Sequence, residues 1–368
     1  MSNQIKKIAL LSFLSVASVA AIPQSQVDDP YRKPEVIEEI KYVRDLLFDG
    51  KYDKVLPACR EAQEKYPDLL VWHFAAMLAP QARMLELHNW DLTTDYMKEW
   101  ERLLQLSQKI PSIRKYCAYD YLCLGGGYGI VGLHYARGRD FRKAFQIGVK
   151  ALSYLNKTLE LDQQCYDAYL GYGIYHYYRG ILSTRLKWLP FFANDRELGL
   201  KELNMARKGL YARPLVDAAL IYLYKDEGKW KEGLEIALRM RKEYPHSLLI
   251  PQLIGFFYLN LGELSPALSN FDLVLKGDPR NGPVHLMRGV TLFYMNRLEE
   301  AEAECSACLK LGATNEYNAV AYYYLGEIEW ARGNYKKAKE LWNKSASLDS
   351  QYKEPHEALK RPIPKAER

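Results

Sequence analysis

Long hydrophobic runs are almost absent from this sequence of 368 residues, which argues against a protein with several membrane spans. The one apolar run, residues 8–21, is shorter than the roughly 20 residues that a span needs. A large excess of positive or negative charge is lacking too. The chain has 51 Lys and Arg and 45 Asp and Glu, and the resulting net charge of +6 is spread along the sequence. We therefore predict no nucleic-acid partner.

Catalytic and metal-binding motifs are also missing. The chain contains no HExxH, no GxSxG and no P-loop. Its six cysteines are too few for a disulfide framework, and only Cys305 and Cys308 form a CxxC. No second CxxC or nearby His pair completes a zinc set, so packing is the favoured interpretation and a redox or metal role the alternative. We predict a protein that is not an enzyme and has no cofactor.

A glycine-rich stretch at residues 125–129 is the one segment that suggests a phosphate-binding loop. It lacks both a preceding strand and a following GK[ST]. The favoured interpretation is that these glycines lie at the start of a helix and allow close helix packing.

The N-terminus has the pattern of a secretory signal. Lys6 and Lys7 precede the apolar run, and small residues at positions 18, 20 and 21 provide cleavage points. We predict a signal peptide at 1–21, a polar linker at 22–33 and a mature protein that is periplasmic or secreted. An uncleaved membrane anchor and a disordered cytosolic leader are the alternatives.

One spacing recurs through the second half of the chain. The landmarks that are 34 residues apart are Gly228, Gly262 and Asn296, then Ala267 and Ala301, then Pro245 and Pro279. Gly333 and Ala338 each follow the preceding landmark of their type after 37 residues. Each unit has the pattern of a helix, a short turn and a second helix. A small residue such as Gly326 at the eighth position lets the first helix approach its neighbour, and Ala338 at the twentieth position packs against it.

These landmarks resemble the tetratricopeptide repeat (TPR), over residues 36–352 and most closely over 214–352. The resemblance implies an all-α, right-handed superhelical TPR solenoid of about eight helix–turn–helix units, at 34–352, with a concave and a convex face. A coiled coil is disfavoured because apolar heptads are absent and turn glycines recur. Residues 353–368 are predicted to form a C-terminal cap and a flexible basic tail.

An apolar insert at 181–196 divides the unit that begins at Tyr166. It contains Trp188, Phe191 and Phe192, and residues 187–203 locally resemble TTC39/Iml2-like TPR proteins. These three aromatic residues provide a second hypothesis, a structural protein of the envelope that makes a peripheral membrane contact through the insert.

The resemblance also identifies residues of the first helices that in TPR proteins line the concave groove. The predicted groove residues are Tyr177, Tyr178, Tyr222, Phe256, Asn260, Phe293, Tyr294, Tyr323 and Trp330. Such an aromatic groove suits an extended or helical peptide, so the first hypothesis is an exported scaffold that binds protein or peptide segments. The alternatives are that these aromatic residues only pack, or that the insert at 181–196 fills the groove.

Overall fold

The computed structural model describes residues 29–87, 93–138, 140–185 and 195–364. In this part of the chain a short 3-10 helix, Pro30–Arg32, precedes 17 α-helices, and there is no β-strand. In chain order the helices are α1 (Pro34–Phe48), α2 (Tyr52–Lys65), α3 (Val71–Leu87), α4 (Thr93–Ile113), α5 (Ala118–Arg137), α6 (Phe141–Leu161), α7 (Ala168–Arg185), α8 (Arg196–Ala206), α9 (Arg213–Glu227), α10 (Trp230–Glu243), α11 (Leu249–Asn260), α12 (Leu264–Gly277), α13 (Gly282–Tyr294), α14 (Leu298–Lys310), α15 (Asn315–Ala331), α16 (Tyr335–Leu348) and α17 (Glu354–Leu359).

The first 16 helices form eight consecutive pairs, from pair 1 (α1–α2) to pair 8 (α15–α16), and α17 packs against α16. Each helix contacts the next one along the chain, as expected of a solenoid. The predicted all-α TPR solenoid of about eight units is confirmed. The signal peptide and the insert residues Trp188, Phe191 and Phe192 lie outside the described residues.

The landmarks that repeat along the sequence share one backbone conformation. Gly228, Gly262 and Gly333 have φ angles of +70°, +76° and +84°, and Asn296, at the equivalent position, has +60°. Each follows the first helix of its pair, where the chain turns into the second helix. A left-handed residue ends a helix in this way, and glycine and asparagine adopt that conformation at the lowest cost. The repeat spacing is therefore the spacing of these turns.

The eighth and twentieth positions bring the two helices of a pair together. A Cβ atom on Gly326 would lie 3.1 Å from the carbonyl oxygen of Ala338 and 2.4 Å from Nε1 of Trp342. A Cβ atom on Gly289 would lie 3.2 Å from the carbonyl oxygen of Ala301. The small residues thus fit a contact that has no room for a larger side chain.

Pair 4 keeps this close contact between its two helices, although the insert separates α7 from α8 in the sequence. A Cβ atom on Gly173 would lie 2.8 Å from the carbonyl oxygen of Gly199, and a Cβ atom on Gly199 would lie 2.7 Å from that of Gly173. The two glycines are 26 residues apart, whereas Gly326 and Ala338 are 12 apart. The interruption therefore adds 14 residues between α7 and α8, and the helical register resumes at Gly199.

Two predicted boundaries need correction. The glycine-rich stretch at 125–129 lies inside α5, which begins at Ala118, and not at the start of a helix. Two of its glycines face the preceding pair, because Cβ atoms on Gly126 and Gly127 would lie 2.8 Å from Phe74 and 2.4 Å from Trp100, whereas a Cβ atom on Gly125 would lie 2.9 Å from Leu155 of α6. The predicted linker at 22–33 includes Tyr31, which is fully buried.

Tyr31 connects the N-terminal segment to the junctions between later pairs. Its hydroxyl donates to Asp120 at 2.8 Å and accepts from the backbone N–H of Leu70 at 2.8 Å. Its carbonyl oxygen accepts from the hydroxyl of Tyr211, before α9, at 2.7 Å. A residue that the sequence places in a polar linker is therefore a core residue of the assembled fold.

The other end of α1 contacts the junction between pairs 5 and 6. The rings of Phe48 and Tyr244 are 5.4 Å apart, and the backbone N–H of His246 donates to Asp49 at 2.9 Å. Pair 1 thus packs against the connections that precede α9 and α11 as well as against its sequence neighbours. The array therefore curves enough to bring the end of α1 to the connection that precedes α11.

Candidate functional site

The predicted groove residues lie on five first helices, α7, α9, α11, α13 and α15. Their exposure differs widely. Tyr294 is 58% exposed and Asn260 is also exposed, whereas most of the others are half-buried. The structure therefore separates surface residues from packing residues within this set.

Tyr177 is a packing residue, which corrects its assignment to the groove. Its side chain is only 1% exposed and belongs to the core formed by pairs 4 to 6. Burial and the neighbouring Glu227 raise the pKa of its hydroxyl. Tyr178, the next residue, is half-buried, and its hydroxyl donates to Asp226 of α9 at 3.1 Å. The two adjacent tyrosines therefore face different environments, as successive helical residues do.

The middle of the groove contains a lysine between two aromatic rings. The Nζ atom of Lys225 lies 5.9 Å from the ring centre of Tyr222 and 5.1 Å from that of Phe256. These distances are within cation–π range. Burial lowers the pKa of Lys225. On the same helix as Phe256, the amide of Asn260 donates to the Phe256 carbonyl oxygen at 2.8 Å.

Pair 1 borders the groove at Tyr222. The Tyr222 hydroxyl is close enough to Tyr52 to contribute to the raised pKa of that residue, of which burial is the main cause. The Tyr222 hydroxyl also contributes to the raised pKa of Tyr317 in pair 8, of which burial is again the main cause. The Tyr52 hydroxyl donates to Glu86 of α3 at 2.9 Å. Tyr222 therefore interacts electrostatically with tyrosines from both pair 1 and pair 8.

Five aromatic residues form a connected group at the C-terminal end, which we name the C-terminal aromatic cluster. Its members are Phe293, Tyr294, Tyr323, Tyr324 and Tyr352. Tyr324 is central, with ring centres 5.4 Å from Phe293, 6.1 Å from Tyr294 and 5.1 Å from Tyr323. Tyr352 lies 5.5 Å from Tyr323. All four contacts are edge-to-face, a favourable arrangement of aromatic rings.

One hydrogen bond fixes the most exposed member of this cluster. The hydroxyl oxygens of Tyr294 and Tyr324 are 3.1 Å apart. The rest of the Tyr294 ring is accessible from solvent. The cluster therefore presents a large aromatic surface whose orientation is set before any partner binds.

Two members of the cluster were not predicted from the sequence. Tyr324 is at the sixth position of its unit, which the TPR resemblance does not assign to the groove. Tyr352 follows α16, at the end of the predicted solenoid. The run of three tyrosines at 322–324 was the available signal for Tyr324. No local pattern marks Tyr352, because its contact with Tyr323 depends on the path of the chain after α16.

Trp330 lies under the C-terminal segment and contributes to packing. Its ring centre is 4.6 Å from that of Tyr335 and 5.2 Å from that of Trp342. The guanidinium of Arg361 lies 5.9 Å from the Trp330 ring and pairs with Glu327 at 2.9 Å. The segment after α17 thus packs on Trp330, which is half-buried and contributes to packing.

The cysteines occupy packing positions. Cys305 and Cys308 are fully buried in α14, and burial raises the pKa of each thiol to about 12. In the described part of the chain, no group of His, Cys, Asp and Glu side chains could hold a metal ion. Across the same residues, no α-helix combines the length and apolar character that crossing a bilayer requires.

Comparison with known proteins supports the fold. No protein-family model and no curated protein matches the chain. The Cut9–Hcn1 hetero-tetramer of the APC/C matches with a TM-score of 0.58 and 14% identity, over 92% of this chain and 57% of that chain. The chain has the tetratricopeptide-repeat fold.

Two shorter TPR-type structures also align with this fold. PilF of Pseudomonas aeruginosa has a TM-score of 0.46 and 16% identity, over 65% of this chain and 97% of its own. YrrB, described as a TPR protein with an unusual peptide-binding site, has a TM-score of 0.38 and 16% identity, over 56% of this chain and 98% of its own. The local resemblance to TTC39/Iml2-like proteins is not confirmed.

Proposed function

We propose that this protein is a non-enzymatic scaffold that binds a protein or peptide segment through its C-terminal aromatic cluster. The observation that carries the proposal is the exposure of Tyr294, 58%, within a set of rings that hold one another in place. TPR solenoids provide extended concave surfaces of this kind. Aromatic residues that are already ordered lose little entropy on binding, and they are common among the residues that dominate interfaces.

The structure favours the C-terminal end of the groove over its middle. Tyr222, in the middle of the groove, is half-buried and interacts electrostatically with Tyr52 of pair 1 and Tyr317 of pair 8. Tyr294 and Asn260 remain exposed. An extended or helical segment that offers aliphatic side chains to the rings and a polar group to the Tyr294 hydroxyl would suit this surface.

Photocrosslinking in native cells tests the proposal. A photoreactive amino acid replaces Tyr294 in one variant and Tyr42 in the other. Tyr42 is the matched control, because it is 55% exposed but lies on α1, away from the cluster. We expect a defined protein adduct from position 294 and none of that mass from position 42. Adducts of the same mass from both positions would contradict the proposal.

Substitution of the same residues gives a second, quantitative test. With the captured segment as ligand, Tyr294→Ala should weaken binding by about 2 kcal/mol, the level that defines a hot spot. Tyr42→Ala should leave the affinity unchanged. Equal affinity of the Tyr294→Ala variant and the wild type would exclude the cluster as the binding surface.

We also propose that the protein is exported and that residues 1–21 direct this export. The support is the sequence pattern of Lys6, Lys7 and the apolar run at 8–21. Cell fractionation followed by N-terminal sequencing tests it, and the expected mature chain begins close to residue 22. A cytosolic chain that retains Met1 would contradict it. The hypothesis of a membrane contact through Trp188, Phe191 and Phe192 stays a prediction.

A further inference from the structure

The two helices of pair 3 present a surface with a regular arrangement of charge, which we name the lysine–tyrosine ladder. Its members are Tyr121, Tyr128 and Tyr135 on α5, and Lys143, Lys150 and Lys157 on α6. Both sets recur every seven residues. The ladder does not overlap the C-terminal aromatic cluster and was not recognised in the sequence.

Each lysine lies over a tyrosine of the opposite helix. The Nζ atom of Lys143 is 4.1 Å from the ring centre of Tyr135, and that of Lys150 is 4.5 Å from the ring centre of Tyr128. These two contacts are the shortest of the ladder.

The third contact is longer but follows the same pattern. Lys157 lies 5.4 Å from the ring centre of Tyr121. Because α5 and α6 run in opposite directions, the first lysine contacts the last tyrosine and the last lysine contacts the first. Two helices with a seven-residue repeat thus form three contacts of the same kind, and Lys157 also lies 5.4 Å from the ring centre of Tyr154 on its own helix.

The repeat fixes the spacing of the positive charges. Seven residues are close to two turns of an α-helix and span about 10.5 Å along its axis. The three ammonium groups therefore form a row about 21 Å long. A side-chain hydrogen bond with Tyr128 raises the pKa of Lys150.

The row has no internal counter-charge. All three lysines are exposed, and no carboxylate of the described residues forms an ion pair with any of them. Other lysines of the chain do have such partners, as Lys337 does with Glu329 at 2.9 Å. The ladder therefore leaves three positive charges, in one row, available to a partner.

The cationic surface continues beyond the last lysine. An open pocket of about 370 Å³ lies there, and its lining includes Lys115, Tyr116, Tyr121 and Leu161. Lys115 is exposed and adds a fourth positive charge. The pocket combines this charge with aromatic and aliphatic surface, so the end of the row can also receive an apolar side chain.

We infer that the ladder binds an acidic helical segment of a partner protein, with carboxylates that recur every seven residues on one face. A helix of this kind places its carboxylates at the same 10.5 Å interval as the lysines, to within the precision of about 1 Å of ideal helix geometry. The aliphatic stems of its glutamates would pack on the tyrosine rings between the charges. The inference concerns a surface separate from the C-terminal aromatic cluster and does not depend on the function proposed above.

Two other anionic partners fit the geometry less well. Nucleic acid carries phosphates much closer together, about one charge per 1.7 Å of duplex. A bilayer contact needs apolar side chains on the same face as the lysines. Among the exposed apolar residues of α6, Phe145 lies about 200° around the helix from Lys143 and Val149 about 100° from Lys150, whereas Leu161 lies about 40° from Lys157. One leucine provides little of the apolar surface that a bilayer contact requires. An acidic protein helix meets neither difficulty.

The probe for this inference is a labelled helical peptide of four heptads that carries glutamate on one face. Its affinity for the full chain is measured by fluorescence anisotropy at low ionic strength, beside the same peptide with glutamine in place of glutamate. We expect the glutamine peptide to bind roughly tenfold more weakly, because exposed ion pairs contribute modestly and are three in number. Added salt should weaken binding of the glutamate peptide only.

Three variants assign the binding to the ladder. K143Q/K150Q/K157Q should lose about tenfold in affinity, and K143R/K150R/K157R should retain it. K231Q/K242Q/K276Q is the matched control, because it removes three exposed lysines from α10 and α12. We expect its affinity to stay within about twofold of the wild type.

Several outcomes would overturn the inference. One is an equal loss of affinity in the ladder variant and the control variant, since this would indicate attraction by net charge alone. Another is tighter binding of a single-stranded oligonucleotide or of phosphatidylglycerol vesicles than of the peptide. Circular dichroism of each variant verifies that the helices remain folded.

Discussion

The ring of Phe48, at the end of the first helix, lies 5.4 Å from the ring of Tyr244, which directly follows the tenth. The Tyr244 hydroxyl is also 3.4 Å from Asp45. In a solenoid whose units contact only their neighbours, pair 1 would not meet the junction between pairs 5 and 6. This contact is therefore a property of the way the whole array curves.

A double-mutant cycle tests that contact. Phe48→Leu and Tyr244→Leu should each lower the free energy of unfolding, and their coupling should be about 0.5–1.5 kcal/mol, as is typical of aromatic pairs. Urea denaturation of the four proteins measures it. Phe48→Leu combined with Tyr335→Leu is the control, because Tyr335 packs on Trp330 and not on Phe48. If the effects of Phe48→Leu and Tyr244→Leu on the free energy of unfolding add to within about 0.3 kcal/mol, the two rings are not in contact.

The contact between Gly173 and Gly199 predicts a strong effect of a single methyl group. In the Gly173→Ala variant, Cβ would lie 2.6 Å from Cγ of Leu203 and 2.8 Å from the Gly199 carbonyl oxygen. We expect a loss of about 1–3 kcal/mol in the free energy of unfolding, because α7 and α8 must separate. Thermal and urea denaturation measure it.

Gly148→Ala is the matched control for that variant. Gly148 lies within α6, and its Cβ would meet no atom of the described residues within 4 Å. Because alanine favours the helix over glycine, this variant should gain about 0.5–1 kcal/mol. A Gly173→Ala protein as stable as Gly148→Ala would show that pair 4 does not pack through its glycines.

His285 makes the stability of the protein depend on pH. Its Nδ1 hydrogen bond to Glu304 at 2.7 Å, helped by the Pro279 carbonyl oxygen at 2.9 Å from Nε2, raises the pKa of the imidazole. The folded protein therefore holds this proton more tightly than the unfolded chain does. The resulting stabilisation is complete below the unfolded pKa, near 6.5, and is lost as the pH rises through the folded value.

The loss of stability in His285→Gln should consequently be larger at pH 5.5 than at pH 8.5. Denaturation of the variant and the wild type at both pH values measures the difference. His356→Gln, which changes an exposed residue of α17, is the control variant. A His285→Gln effect that is equal at the two pH values would contradict the assignment of the proton.

The buried cysteines predict low thiol reactivity. With a pKa of about 12, the Cys305 thiol is ionised at pH 8.5 in roughly one molecule in three thousand, whereas an ordinary thiol is about half ionised. Labelling with a thiol reagent should therefore be slow in the native protein. All six cysteines should react in denaturant, which provides the control. Rapid native labelling of Cys305 or Cys308 would contradict their role in packing.

Local patterns in the sequence were sufficient for the helical pairs. The left-handed residues at Gly228, Gly262 and Asn296 mark the turns, because only a few residue types adopt that conformation cheaply. The positions of small residues such as Gly326 were predictable for the same reason, since a close helix contact excludes larger side chains. These constraints act within one unit and so appear at fixed spacing.

The site was predictable only in part. Tyr294 lies on the surface, whereas Tyr177 is buried and Trp330 is covered, although all three were assigned to one groove. The exposure of a groove residue depends on whether the next pair or the C-terminal segment packs over it. The position of the residue within its repeat does not predict this packing. Tyr352 joins the cluster for the same reason.

The sequence by itself determined the type of element, the number of pairs and the turn positions, because each depends on residues close together in the chain. The tertiary structure decided that Tyr31 is a core residue, that pair 1 meets Tyr244, and that lysines of α6 lie over tyrosines of α5. The contacts of Tyr31 and of pair 1 with Tyr244 join residues that are distant in sequence. The contacts of the lysines join residues that recur at the same seven-residue interval on two antiparallel helices. The contacts of Tyr31 and Tyr244 follow from how successive pairs stack, to which every unit contributes a small rotation, and the lysine–tyrosine contacts follow from how the two helices of pair 3 pack.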